Sequence, residues 1–100
     1  MDEARELDDA EIVRRILDGD GDLFALLVNR YRTRLYRFIG RFTNDTEDAR
    51  DVTQDVFFKV YGALDSYDSK YKFSTWLFRI ASNLAIDRRP HKLSCGTSQP

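Results

Sequence analysis

The chain has 100 residues, of which 42% are hydrophobic and 33% are charged, and its formal net charge is -1. A chain of this size buries roughly two thirds of its unfolded surface, so the sequence predicts one small globular domain and excludes a disordered or fibrous protein. One cysteine, Cys95, and one histidine, His91, exclude an internal disulfide and an ordinary zinc site. Because no apolar run has the length of a membrane span and the N-terminus is acidic, we predict a cytoplasmic protein without membrane contact. No metal and no cofactor are expected.

The small net charge conceals a segregation of charge along the chain. Residues 1–22 contain three basic and nine acidic residues, 30–42 five and none, 44–65 two and six, and 66–93 six and two. Such alternation lets separate faces bind separate partners, an anionic polymer on one and a basic protein surface on another. A set of solvated helix faces is the simpler interpretation, and only the motifs below displace it.

Helical spacing of the apolar residues predicts an all-α fold, a compact bundle of four helices. After an acidic segment over residues 1–8, the first helix is expected from Asp9 to Asp18, with Gly19 as a left-handed stop. Its apolar stripe is Ile12, Val13, Ile16 and Leu17.

The second helix is expected to open after the acidic stretch at Asp20–Asp22 and to continue to about Phe42. One side of it is apolar and comprises Leu23, Leu27, Tyr31, Leu35, Phe38 and Phe42. The other side is basic and comprises Arg30, Arg32, Arg34, Arg37 and Arg41. This basic side is a candidate for phosphate contacts, and a purely solubilising role is as well supported.

The third helix is expected to begin at a cap formed by Asp45 or Thr46 and to reach about Leu64. Its apolar stripe is Ala49, Val52, Val56, Val60 and Leu64. A different face carries Asp51, Gln54, Asp55 and Phe58. An exposed phenylalanine among carboxylates indicates a contact surface.

The fourth helix is expected from Thr75 to about Arg89, capped by Ser74 and ended by Pro90. Phe73 and Phe78 have the spacing of a hydrophobic staple around that cap. Residues 90–100 are expected to be a disordered tail.

The loop before the fourth helix and the helix itself interleave aromatic, cationic and amide side chains. Tyr67, Lys70, Tyr71 and Lys72 precede a helical face with Trp76, Arg79 and Asn83. Single-stranded nucleic acid needs this mixture, since rings stack on bases, cations neutralise phosphates and an amide bonds a base edge. Core packing is an equally good interpretation of Trp76, and a solvated face fits Arg79, Asn83, Arg88 and Arg89 equally well on spacing alone.

Two long segments resemble the region 2 signature of extracytoplasmic-function (ECF) sigma factors. They are residues 48–57 (DARDVTQDVF) and 73–87 (FSTWLFRIASNLAID), and the upstream Gly19-Asp20 and residues 31–38 (YRTRLYRF) match as well. The likeness spans residues 9–89. It implies the sigma factor region 2 fold and a role in transcription initiation, without a catalytic group.

By that resemblance, the third helix docks on RNA polymerase. Asp51, Gln54 and Asp55 match the polar residues that grip the clamp helices of the polymerase beta-prime subunit, with Phe58 or Tyr61 as an apolar contact beside them. Carboxylates and an amide on one face suit a basic helical partner. In this family an anti-sigma factor covers the same surfaces, so an anti-sigma partner is expected too.

The resemblance also implies that the loop and fourth helix read the minus-ten element of promoter DNA. The loop would hold a base flipped out of the non-template single strand, which assigns the pocket to Tyr67, Asp68, Ser69, Lys70, Tyr71 and Lys72. Asn83 matches a position near the upstream edge of the melted region, and Trp76, Arg79, Arg88 and Arg89 complete the DNA-binding set. Leu77 and Ile80 stand where primary sigma factors have a tryptophan and a glutamine, which places the chain in the ECF branch. Trp76 is then either a wedge against the duplex or a ring packed in the core.

Full ECF sigma factors continue into a second helical domain that reads the minus-thirty-five element. The sequence after Pro90 resembles no part of it. We therefore expect a fragment, a truncated product or a stand-alone form that binds DNA weakly by itself.

Three other functions compete with this one. An enzyme is disfavoured because the sequence offers no nucleophile-base pair, phosphate loop or metal set. A protein-interaction module bound by an anti-sigma factor, inactive on DNA in isolation, is the main alternative. A helix-turn-helix repressor is disfavoured because eight residues rather than three or four precede the Trp76 helix.

Overall fold

Four α-helices account for most of residues 7–88, which are the residues that the computed structural model describes. The helices are α1 (Asp9–Leu17), α2 (Phe24–Ile39), α3 (Thr46–Ala63) and α4 (Phe73–Arg88), with 3₁₀ turns at Gly21–Leu23 and Leu64–Ser66. The predicted all-α bundle is confirmed. The predictions for residues 1–6, for Arg89 and for the tail over 90–100 lie outside the described residues.

Two aspartates begin helices by capping free backbone amides. The Asp8 side chain accepts from the Glu11 amide at 2.9 Å at the start of α1. The Asp45 side chain accepts from the Glu47 amide at 2.9 Å at the start of α3. Each cap satisfies one of the amides that a helix leaves without an internal partner, which stabilises the helix by about 1 kcal/mol.

The helix ends agree with the sequence at α1 and differ at α2. Gly19 has a φ of +118°, the left-handed conformation that was expected to stop α1. The helix α2 ends at Ile39 instead of Phe42, because the amides of Arg41 and Phe42 turn back to carbonyls three residues earlier, at 3.1 and 2.9 Å. The last residues of the predicted helix therefore form a tightened turn.

The predicted start of α4 was also wrong. The helix begins at Phe73, and the Lys72 carbonyl accepts from the amides of Thr75 and Trp76 at 3.1 and 3.3 Å. Ser74 therefore lies inside the first turn and is not the cap. The buried ring of Phe73 explains the earlier start, because it packs into the core as part of the first turn.

One apolar stripe from each helix forms the core, with α2, α3 and α4 packed on one another and α1 packed on α2. The whole predicted stripe of α3 is buried, from Ala49 to Leu64. Leu17 was predicted in the core and is instead 51% exposed, because α1 ends there. Ile39 closes the core at the end of α2, whereas Phe42 packs at its edge. The buried hydroxyl of Thr53 is satisfied by donating to the Ala49 carbonyl at 2.7 Å.

Asp9 joins α1 to α2. Arg30 donates to its Oδ1 at 2.8 Å and to the Leu7 carbonyl at 2.7 Å, and the Tyr31 hydroxyl donates to its Oδ2. Burial, followed by the contact with Asp9, raises the pKa of Tyr31 to about 12, so the hydroxyl stays protonated as a donor at neutral pH. Arg30 was predicted on the basic side of α2, and there its guanidinium is half-buried and paired with Asp9.

Asp9→Ala is expected to destabilise the domain by about 1–3 kcal/mol, because it removes the carboxylate that accepts from both Arg30 and the Tyr31 hydroxyl. Urea unfolding followed by circular dichroism measures the loss. The control is Glu11→Ala, which removes pairs between α1 side chains that face solvent and should cost less. Equal losses in the two variants would contradict the assignment of Asp9 as the link between the helices.

Candidate nucleic-acid and protein interfaces

The loop from Tyr67 to Lys72 is closed by hydrogen bonds of its own. The Tyr71 amide donates to the Asp68 carbonyl at 3.0 Å, and the Lys70 amide donates to the Asp68 carboxylate at 2.9 Å. The Tyr67 hydroxyl donates to the Tyr71 carbonyl at 2.5 Å. These bonds fix the turn through its backbone and leave the side chains of Lys70, Tyr71 and Lys72 at the surface.

Three aromatic rings hold that loop against the start of α4. The Tyr67 ring lies 5.5 Å from Phe73 and 5.3 Å from Trp76, and Phe73 lies 5.8 Å from Trp76, centroid to centroid. Burial raises the pKa of Tyr67, which keeps its hydroxyl a donor. Trp76 is half-buried and packed on one side by Tyr67 and Phe73.

The exposed edge of the loop continues along one face of α4. Tyr71 is 63% exposed, and Arg79 and Asn83 are exposed on the helix beside half-buried Trp76. Within residues 7–88, no carboxylate pairs with Lys70, Lys72 or Arg79. The remaining predicted loop residues, Asp68 and Ser69, are exposed as well. Arg88 is the last residue of α4, and Arg89 lies outside the described residues.

These placements assign different tasks to the predicted loop residues. The hydroxyl of Tyr67 and the carboxylate of Asp68 are engaged in shaping the loop. Tyr71, Lys70 and Lys72 present a ring and two cations to solvent. A phenol ring at this edge can stack on an unpaired base while the ammonium groups contact its phosphates.

The second surface is the outer face of α3. Asp51, Gln54, Asp55 and Phe58 are all exposed there, as their spacing predicts, and Phe58 is 74% exposed. Tyr61, one turn further along, is 53% exposed. A carboxylate and amide face beside an uncovered ring is suited to a protein partner that carries cations.

An open groove of about 1110 Å³ runs between α2 and α3 beside that face. Phe24 packs edge-on against Tyr61 at 4.9 Å and against Phe57 at 6.3 Å in its wall. The groove is mostly apolar, and its lining also includes Val28, Arg32, Tyr36, Arg50, Asp51 and Gln54. Sequence reasoning missed the contribution of α2. The sequence did contain a signal for a second apolar face on this helix, because Phe24, Val28 and Tyr36 do not belong to the predicted core stripe.

Residues 7–88 contain no group of three His, Cys, Asp or Glu side chains arranged to hold a metal ion. No helix among them is long and apolar enough to cross a membrane.

The chain matches known proteins over most of its length. The family model described as Sigma-70 region 2 matches residues 27–92. The chain is 41% identical over 76 residues to the ECF RNA polymerase sigma factor SigW of Bacillus subtilis, covering 76% of this chain and 41% of that protein. It is 40% identical over 82 residues to the ECF RNA polymerase sigma-E factor of Escherichia coli, covering 82% of this chain and 42% of that protein. The chain thus spans less than half the length of these relatives.

A solved structure matches the fold as well. An engineered region 2 of sigmaE, determined by NMR in complex with GTAAAA, is 40% identical to this chain and superposes with a TM-score of 0.77. The match covers 90% of this chain and 97% of that one.

Proposed function

The chain belongs to the Sigma-70 region 2 family of ECF sigma factors, and from this membership we propose that it captures the melted non-template strand of a promoter minus-ten element while docked on RNA polymerase. The proposal assigns this work to residues 9–89. The observation that carries it is the exposure of Lys70, Tyr71 and Lys72 in the loop together with Arg79 and Asn83 on α4.

Strand capture needs a site that offsets the cost of taking a base out of the stack. Extrusion costs a few kcal/mol, and stacking on an aromatic ring returns about 1–3 kcal/mol per base. Tyr71 supplies an exposed ring, and Asn83 an exposed amide that can bond a base edge. Trp76, packed against Tyr67 and Phe73, supplies a rigid wall rather than a free wedge. The complex of the sigmaE region 2 with GTAAAA supports this reading of the same fold.

Docking on polymerase is assigned to the outer face of α3. Asp51, Gln54 and Asp55 would bond cations of the beta-prime clamp helices, and Phe58 would cover an apolar contact. The polymerase would position the domain on the promoter, so opening of the duplex depends on the assembled enzyme.

An anti-sigma factor is the second proposed partner, and the groove between α2 and α3 favours it. The groove has an apolar lining, and exposed Phe58 and Tyr61 stand on its rim. A helix of a partner protein laid into it would cover these rings and block access to the α3 face. Polymerase and anti-sigma factor would then compete for one surface.

The isolated domain is expected to bind single-stranded GTAAAA more tightly than a scrambled hexamer of the same composition. Asn83→Ala, or the pair Tyr71→Ala and Lys72→Ala, should narrow the gap by about tenfold or more, since a base contact contributes about 1–3 kcal/mol of discrimination. Fluorescence anisotropy measures both affinities. Lys59→Ala, which removes an exposed cation from α3, is the control and should leave the gap unchanged. Equal affinity of the unaltered domain for both hexamers would contradict sequence readout by this domain.

A further inference from the structure

A second basic surface lies away from both interfaces described above. Arg34, Arg37, Phe38 and Arg41 of α2 and Phe78 of α4 line a surface pocket of about 250 Å³. It shares no lining residue with the groove between α2 and α3. It also contains none of the exposed residues of the DNA-binding surface, Lys70, Tyr71, Lys72, Arg79 and Asn83. Phe78 shares helix α4 with the last two of them. We call the five residues that line the pocket the arginine pocket.

The arginine pocket holds unbalanced positive charge. Arg34, Arg37 and Arg41 are exposed, and no carboxylate in residues 7–88 pairs with any of them. Arg14 and Arg15, in contrast, are both paired with Glu11 of their own helix. Arg34, Arg37 and Arg41 are spaced three and four residues apart on one helix, where like charges repel one another. An anionic ligand would remove that repulsion.

The pocket is also partly preorganised. The Arg34 guanidinium lies over the Tyr31 ring at 4.9 Å and over the Phe78 ring at 5.7 Å, which restrains it through cation-π contacts. Phe38 packs edge-on against Phe78 at 5.2 Å and forms the apolar floor. A guanidinium group can donate two hydrogen bonds to one phosphate, and an aromatic ring beside it can stack on a base.

A line of aromatic rings connects the arginine pocket to the base-reading loop. Phe78 lies 6.4 Å from Tyr31, Tyr31 lies 5.7 Å from Phe73, and Phe73 is the ring that holds Tyr67 and Trp76. The two sites therefore lie on one packed core, a few ring widths apart. These contacts limit the separation of the two sites to a few nucleotide lengths.

We propose that the arginine pocket binds phosphates of the same single DNA strand beyond the segment captured at the loop. This inference rests on the proposed function, to which it adds a second contact. It assigns Arg37 and Arg41 to the sugar-phosphate backbone, so they contribute affinity without reading sequence.

The test compares GTAAAA with a longer oligonucleotide that carries it between four-thymine extensions, each titrated at several salt concentrations. The unaltered domain should bind the longer strand more tightly and with a steeper salt dependence. In the Arg37→Ala, Arg41→Ala variant that gain should disappear, and the slope of log K against log salt should become shallower by about 1.4, because each single-strand phosphate contact contributes about 0.7. This variant should still bind GTAAAA more tightly than the scrambled hexamer.

The control variant, Arg14→Ala with Lys59→Ala, removes two exposed cations that lie outside the groove and outside the arginine pocket, and it should keep the gain. An unchanged slope and gain in the Arg37, Arg41 variant would overturn the inference and leave the proposed function intact. A gain obtained only when the extensions are double-stranded would overturn the assignment to the single strand. Equal binding of GTAAAA and the scrambled hexamer by the unaltered domain would instead count against the proposed function.

Discussion

The variant Asp51→Ala, Gln54→Ala is expected to lose binding to core RNA polymerase while keeping its helical content. Both side chains are exposed on α3, so their removal leaves no cavity and exposes no core. A hydrogen bond in which one partner is charged contributes about 1.5–3 kcal/mol, so losing two contacts should weaken binding by roughly a hundredfold or more. A pull-down with core polymerase, followed by titration, measures the loss.

Asp65→Ala is the matched control for this variant. Asp65 is an exposed acid in the 3₁₀ turn after α3, outside the docking face. Its removal changes the net charge by the same amount as Asp51→Ala and should leave polymerase binding in place. Retention of core polymerase by the Asp51, Gln54 variant would show that α3 is not the docking helix.

Phe73→Ala is expected to have the largest effect on stability, a loss of about 3–5 kcal/mol. The Phe73 ring is 4% exposed and contacts the rings of Tyr31, Tyr67 and Trp76. Because the free energy of unfolding of a small domain is only about 5–15 kcal/mol, this one change should remove a large part of the stability of the domain. Urea unfolding measures the loss, and oligonucleotide binding should fail in parallel because the loop loses its support.

Two comparison variants test whether the loss of stability comes from the burial of the Phe73 ring. Phe73→Leu retains an apolar side chain and should recover part of the stability. Phe58→Ala deletes the same ring from a position that is 74% exposed and should leave the unfolding free energy nearly unchanged. A similar loss for Phe58→Ala and Phe73→Ala would contradict the burial pattern of the bundle.

Much of the fold was predictable because helix stripes report burial directly. The apolar stripe of α3 was predicted residue by residue, and Gly19 was placed at a left-handed stop by its position after an amphipathic segment. The errors fell where tertiary contacts override local pattern. Ser74 has good capping chemistry, but α4 begins at the buried residue Phe73, two residues before the predicted start at Thr75.

The site was less predictable, because spacing places a residue on a face without naming its neighbours. Arg30 has the same periodicity as the free arginines of α2, and only folding brings Asp9 of another helix against it. The groove between α2 and α3 is likewise built from two helices distant in sequence. The individual DNA-binding and polymerase-binding assignments stay predictions until binding is measured.

The most direct test of the central claim is selection of ligands by the isolated domain from two random DNA pools, one single-stranded and one double-stranded. Capture of a melted strand predicts that one short motif is enriched from the single-stranded pool, that nothing is enriched from the duplex pool, and that Asn83→Ala weakens the enrichment. A motif enriched from the duplex pool alone would contradict strand capture and identify a duplex-reading protein instead.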